Sequence, residues 1–304
     1  MQESISIIIT TSGRVEKIRR LLSSLSRTNH RERIQHEIVI ANNAISDETA
    51  REVEALAREF DAQNAVSCWQ VREPIAGKCR AQNKTIPRTN GRIIALLDDD
   101  VEVLPEWLHA VSQFFLMHPH DVMQGSVVMR PDDAVNQDLQ DRLHRYRTVD
   151  FVQYKFPAGK DLKTLVGGNI ALKREVFDQV GLFDERLGPG GAGISEDVEF
   201  ATRVLRANRR IGWEPKAAVY NELDASRLSE EEFKRRHEAQ GRSRLVYKRN
   251  SIFTIIPNLM RSFWTFCWYS MFGDVRKQYR AKGRYYHYRA MLVEKTKKAR
   301  GIQL

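Results

Sequence analysis

Four strand-like runs in the first hundred residues, separated by helical sequence, constrain this chain more than any other feature. Ser4 to Ile9 reads SISIII, Glu37 to Ala41 reads EIVIA, Ala65 to Val71 is a third strand, and Arg92 to Leu97 reads RIIALL. Between them Val15, Ile18, Leu21, Leu22 and Leu25 recur at helical spacing. Asp47 opens a helix to about Phe60, with acids in the first turn where the dipole favours them. Gly77 to Ile86 is predicted helical. Such alternation means a parallel sheet with crossover helices. Ligands on such sheets bind beyond the carboxyl ends of the strands. Thr10, Asn42 and Asp98-Asp99-Asp100 fall there.

The second half is less regular. Pro105 opens a helix to about Met117, proline being suited to a first helical turn. Val122 to Met129 is a strand. Leu165 to Leu172 is strand-like but contains Gly167-Gly168-Asn169, which suggests a bend or close backbone approach. Gly188 to Gly193 (GPGGAG) is expected to be a mobile loop, and Ser195 to begin a helix through about Ala207. Asp132 to Pro157 yields no assignment. The body is expected to end near Asn221. This gives a catalytic domain over 1–225 and a helical tail over 226–304.

The net charge of +10 is uneven. From Lys234 to Leu304 there are 18 Lys or Arg against three acids, a net +15, so the remainder nets −5. A basic tail on a mildly acidic body signals a polyanion or an anionic membrane, with a solvated basic helix as the plain alternative. At 42% hydrophobic residues the chain is globular, not disordered. Three cysteines without a CxxC pair argue against a disulfide framework and a Cys-ligated zinc, and fit reduced thiols in a cytosol. No signal-peptide core opens the chain. The most apolar stretch, Ser251 to Phe272, holds Pro257, Asn258, Arg261, Trp264 and Trp268. It suits a membrane interface better than the hydrocarbon core.

Two acidic clusters carry chemistry. Asp98-Asp99-Asp100 ends a buried strand, and three adjacent carboxylates are costly to hold together without a cation between them. Mg²⁺ or Mn²⁺ suits them, because hard cations take oxygen ligands and keep substrate phosphates. The alternative is a solvated acidic turn. Glu196-Asp197 begins a helix after the glycine loop; acids there can serve the dipole alone, or work as catalysts beneath a loop that closes over substrate.

Taken in order, these segments resemble the family-2 glycosyltransferases, with the A-type glycosyltransferase fold. IIITTSGR is similar to the family's first strand followed by P-T-x-N-R, and IANNAISDET to V-D-N-x-S-x-D-x-T. GKCRAQN looks like G-x-x-x-A-x-N, and LLDDDVEVLPEWL like the DxD segment with P-x-W-L. VGGNIALKREVFDQVGLFDERL and SEDVEFATRVLRAN are similar to the G-G-N run and the ED motif. The resemblance spans roughly Ser4 to Asn221. It implies a mostly parallel, Rossmann-like nucleotide-binding sheet with a C-terminal helical basic extension.

The activity implied is inverting, metal-dependent sugar transfer from a nucleotide-diphosphate sugar, a UDP-sugar favoured. The acceptor would be a saccharide or lipid-linked hydroxyl in polysaccharide or glycoconjugate biosynthesis of the cell envelope. Asp197 would be the base, with Glu196 beside it. Asp100 would ligate Mn²⁺ or Mg²⁺. Thr10, Thr11, Asn42, Lys78, Arg80, Asp98 and Asp99 would meet the nucleotide sugar, and Gly168, Asn169 and Trp213 would border the acceptor. Asn42 stands where the family has a base-binding Asp, and Asn221 where many members have a His. The tail would hold the enzyme peripherally at the cytoplasmic membrane face; no nucleic-acid partner is expected. A sugar-nucleotidyltransferase would need a glycine-rich basic signature after the first strand, where this chain has only TTSGR. A non-enzymatic binding module is opposed by the intact DDD and ED.

Overall fold

The computed structural model describes residues 4–28, 34–130, 137–146, 156, 160–222 and 227–299. The chain forms two compact units. One comprises Met1–Pro131, Gln153–Glu185 and Glu196–Glu222, and the other Asp132–Val152, Arg186–Ser195 and Leu223–Leu304. The second unit thus draws in two segments besides the tail. The expected boundary at 225/226 lies outside the described residues.

The first unit is built on one eight-stranded sheet. Its strands are β1 (Ile5–Thr11), β2 (His36–Asn42), β3 (Cys68–Arg72), β4 (Ile93–Asp98), β5 (Val101–Val103), β6 (Val122–Met129), β7 (Asn169–Lys173) and β8 (Ile211–Asn221), in the order β3-β2-β1-β4-β7-β6-β8-β5. The β3-β2-β1-β4 half is parallel throughout. Beyond it β7 runs antiparallel to both β4 and β6, and β5 antiparallel to β8. β6 and β8 pair in parallel, so the sheet is mixed but mostly parallel: of its eight strands, β7 and β5 run against the other six.

Successive side chains of a strand point to opposite faces. In β1, Ile5, Ile7 and Ile9 enter one apolar cluster and Ile8 the other; in β4, Ile93, Ala95 and Leu97 enter the first, Ile94 and Leu96 the second. Burial on both faces is why these strands read as unbroken apolar runs. Helix α1 (Val15–Ser26) and α2 (Asp47–Gln63) supply Ile18, Leu21, Leu22, Leu25, Val53 and Leu56 to the first cluster. Ser46 caps α2 by accepting from the Thr49 amide at 3.4 Å. Helix α3 (Lys78–Thr85) supplies Cys79 and Ala81 to the second cluster.

Boundaries differ from expectation at β3, which begins at Cys68 and not Ala65, and at two further elements. Helix α4 (Trp107–Met117) starts after Pro105-Glu106, which form its preceding turn. Gly167 and Gly168 precede β7 instead of lying inside it, Gly168 having a φ of +93° that a strand does not use. The loop expected over Gly188 to Gly193 contains hydrogen-bonded turns, the Gly191 and Gly193 amides donating to the Gly188 carbonyl at 3.0 Å.

In the second unit α5 (Gln137–Tyr146) precedes α6 (Arg174–Val180) and α7 (Glu196–Arg206), which both belong to the first unit, and the tail then forms α8 (Glu230–Tyr247), α9 (Ile252–Phe272) and α10 (Val275–Ala299). Ser229 caps α8 through the Glu232 amide at 3.2 Å. Tyr146, Phe233, Tyr279 and Tyr286 pack edge to face or tilted. Helices α8 and α10 approach closely at Gly241, where an added Cβ would lie 2.3 Å from the His287 carbonyl oxygen.

Candidate active site

The site forms within the first unit, at the carboxyl edge of the parallel strands. Thr10 stands in register with Ala41 and Asp98, and Thr11 with Asn42. Asp98 ends β4, and the chain turns through Asp99 and Asp100 into β5. The three carboxylates do not share one position. The Asp99 side chain is fully buried; Thr11 Oγ1 donates to its Oδ2 at 2.6 Å, Arg14 Nε donates to the same oxygen at 3.0 Å, and Arg14 Nη2 pairs with Oδ1. Arg14 Nη1 also lies 3.5 Å from Asp100 Oδ2. Burial pushes the Asp99 carboxyl up, against the bonds from Thr11 and the charge of Arg14.

Asp98 turns the other way, to the first residue of α3. Lys78 Nζ lies 2.7 Å from Asp98 Oδ1 and 3.4 Å from Glu196 Oε1. Burial alone would lower the Lys78 ammonium, but Asp98, Glu196 and Asp197 together outweigh it and raise it. The cation that three adjacent carboxylates demand is thus partly supplied by the protein, through Lys78 and Arg14.

Asp197 sits in the first turn of α7. Its Oδ2 accepts from the Gly167 amide at 2.7 Å and its Oδ1 from the Val198 amide at 2.8 Å. Burial first, and then the charge of Glu196, push the Asp197 carboxyl up to about 6; the two amides and Lys78 oppose the rise. A carboxylate titrating near neutrality accepts a proton in a transition state more readily than an ordinary surface aspartate. Gly168 presses close on the same group of acids, since a Cβ there would stand 3.4 Å from Asp98 Oδ2.

Other sequence-predicted residues are placed differently. Asn42 is fully buried, donating to Gln70 Oε1 at 2.6 Å and to the Ala50 carbonyl at 3.3 Å, while its Oδ1 accepts from the Ala44 amide. An amide so engaged braces the β2–α2 turn. Asn169 is likewise fully buried: it donates to the Ser126 and Ala217 carbonyls and accepts from Trp107 Nε1 at 3.0 Å. It braces β7 against its neighbours. Thr10 Oγ1 accepts from Gln82 Nε2 at 3.1 Å, and Arg80 pairs with Glu185 at 3.3 Å. Trp213 is half-buried, donates to Ser126 Oγ and meets Phe156 edge to face.

The sequence reading missed Arg14, although TTSGR was singled out; its signal was the unbalanced charge of DDD. It also missed Asn43, which donates to the Glu73 and Ile75 carbonyls and accepts from the Gly77 amide at 2.8 Å. These bonds fix the turn that delivers Lys78. Nothing in local pattern distinguishes Asn43 from Asn42.

No group of three or more His, Cys, Asp or Glu side chains could hold a metal among the described residues. Asp100 keeps a partly exposed carboxylate beside Arg14; Mg²⁺ and Mn²⁺ on nucleotides often take one protein carboxylate and fill their remaining positions with substrate oxygens and water.

The sequence model of glycosyl transferase family 2 matches residues 6–181. By sequence no curated protein matches the chain. Among solved structures it is similar to the mannosyltransferase PcManGT from Pyrobaculum calidifontis, in complex with GDP-Man and Mn²⁺, at 16% identity and a TM-score of 0.56, covering 97% of this chain and 76% of that one. It is also similar to S. aureus TarS 1-349 in complex with UDP-GlcNAc, at 14% identity and a TM-score of 0.52, covering 94% and 91%. GalNAc-T7 with UDP, GalNAc and Mn²⁺ gives 17% identity and a TM-score of 0.53, covering 72% and 44%. These likenesses establish the A-type glycosyltransferase fold.

Proposed function

The chain belongs to glycosyl transferase family 2, and we propose that it transfers a sugar with inversion from a nucleotide-diphosphate sugar, a UDP-sugar by preference. The acceptor is a hydroxyl of a saccharide or lipid-linked molecule in envelope polysaccharide or glycoconjugate biosynthesis. The observation that carries this reading is the Asp197 carboxylate, held by two backbone amides and pushed up to about 6 beside Glu196.

Asp197 takes the acceptor O–H proton as the oxygen forms its bond to the anomeric carbon. On the opposite face the bond from that carbon to the diphosphate oxygen breaks, and the nucleoside diphosphate leaves with the electron pair. Glu196 orients the base or the acceptor. Lys78 balances the carboxylates around the donor, Asp98 lines the donor side of the site, and the buried Asp99 holds Thr11 and Arg14 in place behind it. The backbone of Thr10 and Thr11 meets the base. Asp100 would hold Mn²⁺ or Mg²⁺, which would supply charge neutralisation to the leaving diphosphate. The basic tail keeps the enzyme at an anionic membrane surface, where a lipid-linked acceptor resides.

Asp197→Asn tests the reading. A thermal-shift panel of UDP-, GDP- and dTDP-sugars with Mn²⁺ identifies the donor by its rise in Tm. The variant is expected to keep that rise and lose on the order of 10²–10⁴-fold in kcat. Undiminished kcat removes Asp197 as the base. Release of pyrophosphate in place of nucleoside diphosphate would identify a sugar-nucleotidyltransferase instead.

A further inference from the structure

Helix α9 carries an apolar face that its own unit leaves uncovered. At about 100° per residue, Phe253, Ile256, Met260, Trp264 and Met271 fall on one stripe along the helix, with Trp268 on its flank. All six are exposed, Phe253 at 91% and Trp264 at 66%. Ile255 and Ser262, the two buried residues of α9, lie on the opposite side of the wheel. The helix therefore packs through one face and turns a long aromatic and methionine face outward. Such a contiguous exposed patch on a globular protein marks an interaction surface.

Charge identifies the occupant. From Lys248 to Arg284 the sequence holds eight Lys or Arg and a single acid, Asp274, which pairs with Lys277 at 2.9 Å. Lys248 and Arg249 precede α9, and Arg276, Lys277 and Arg280 follow it, so basic residues stand at both ends of the apolar stripe. Among the described residues no helix is long and apolar enough to cross a membrane. An amphipathic helix with an aromatic face and basic ends lies in the plane of a bilayer surface, its rings at headgroup depth. Each basic residue near an anionic leaflet adds to the attraction, within a Debye length.

We propose that the α9 stripe is the membrane-contact surface of this protein, lying flat on an anionic lipid bilayer with Trp264 and Trp268 as anchors. The proposal rests on the peripheral-membrane reading above and adds its location, orientation and lipid class. A second copy of the chain would cover the stripe without explaining the basic residues at both ends, since like charges would then face each other.

The test mixes the full chain with phosphatidylcholine vesicles with and without phosphatidylglycerol, at low and high salt. It reads sedimentation and tryptophan emission. The parent is expected to sediment only with the anionic vesicles, to release at high salt, and to shift its emission to the blue. The double variant Trp264→Ser, Trp268→Ser, both positions being exposed, is expected to keep its Tm and donor-induced thermal shift. Its binding should weaken on the order of tenfold or more. Parent-like vesicle binding by the double variant removes the stripe while leaving membrane attachment standing. Failure of the parent to sediment removes both. A dimer in light scattering that the double variant dissolves, without vesicle binding, assigns the face to self-association and overturns the proposal.

Discussion

Lys78 Nζ stands 2.7 Å from Asp98 Oδ1, and through this contact the head of α3 ties the end of β4 to the acids of α7. The ammonium lies close enough to Glu196 and Asp197 to lower the pKa of the latter. Replacing Lys78 by Met withdraws that charge, so Asp197 should hold its proton to higher pH. The expected outcome is a fall of about 10²-fold in kcat/KM at neutral pH, with the acid limb of the pH–rate profile moved upward. Lys78→Arg should restore part of both. An unmoved limb would show that Lys78 does not act on the base.

In the parent enzyme the sign is set by which form works. Asp197 must be deprotonated to accept a proton, and its carboxyl is pushed up to about 6. Activity is therefore expected to rise with pH through about 6 and to level above it, where an ordinary aspartate would give a limb near 4. A kcat/KM profile flat from pH 5 to 8 would contradict this.

Arg14 is the main cationic partner of Asp99, a side chain fully withdrawn from water. Breaking a fully buried pair costs about 3–5 kcal/mol, but the Arg14 side chain is 38% exposed and solvent screens this pair. Thr11 also retains its bond to Asp99, so Arg14→Ala is expected to cost less, about 1–2 kcal/mol. Urea denaturation at pH 7 checks it: the midpoint should fall with an unchanged m-value.

Gly167 and Gly168 separate conformation from space. At Gly168 a side chain would be strained by φ of +93° and tight against Asp98. Gly168→Ala should cost about 1 kcal/mol or more and lower kcat. At Gly167 a Cβ meets Lys78 Nζ at 3.6 Å and Asp197 Oδ2 at 3.7 Å, which is ordinary contact. Gly167→Ala should melt close to the parent. Paired melting curves and kcat values decide it; equal effects at both positions would rule the distinction out.

Asp100 bears on the metal. Calorimetry of UDP binding with and without Mn²⁺ is expected to show a metal-dependent gain in affinity that Asp100→Ala abolishes. Binding of UDP that ignores Mn²⁺ in the parent would remove the metal from the reading and leave Lys78 and Arg14 as the positive charges at the donor site.

The sequence by itself determined the parallel strands β1 to β4 and the edge that carries the site, while β5 and β8 went unassigned. Those four strands and that edge depend on local pattern: apolar runs buried on both faces, helical spacing between them, and acids placed where a strand stops. Ile8 facing away from Ile7 and Ile9 follows from the pleat alone. Tertiary structure decided how the charges are shared. Arg14 reaches Asp99 across 85 positions, Lys78 joins β4 to α7, and the Gly167 amide holds Asp197. Asn42 and Asn169, which motif position marks as binding residues, spend their hydrogen bonds inside the protein. The same holds for the tail: its basic and aromatic composition is legible in the sequence, but which side of α9 faces outward depends on where Ile255 and Ser262 pack. Ion-pair strength, proton affinity and side-chain exposure depend on distance and burial, and these exist only once the chain has brought its distant segments together.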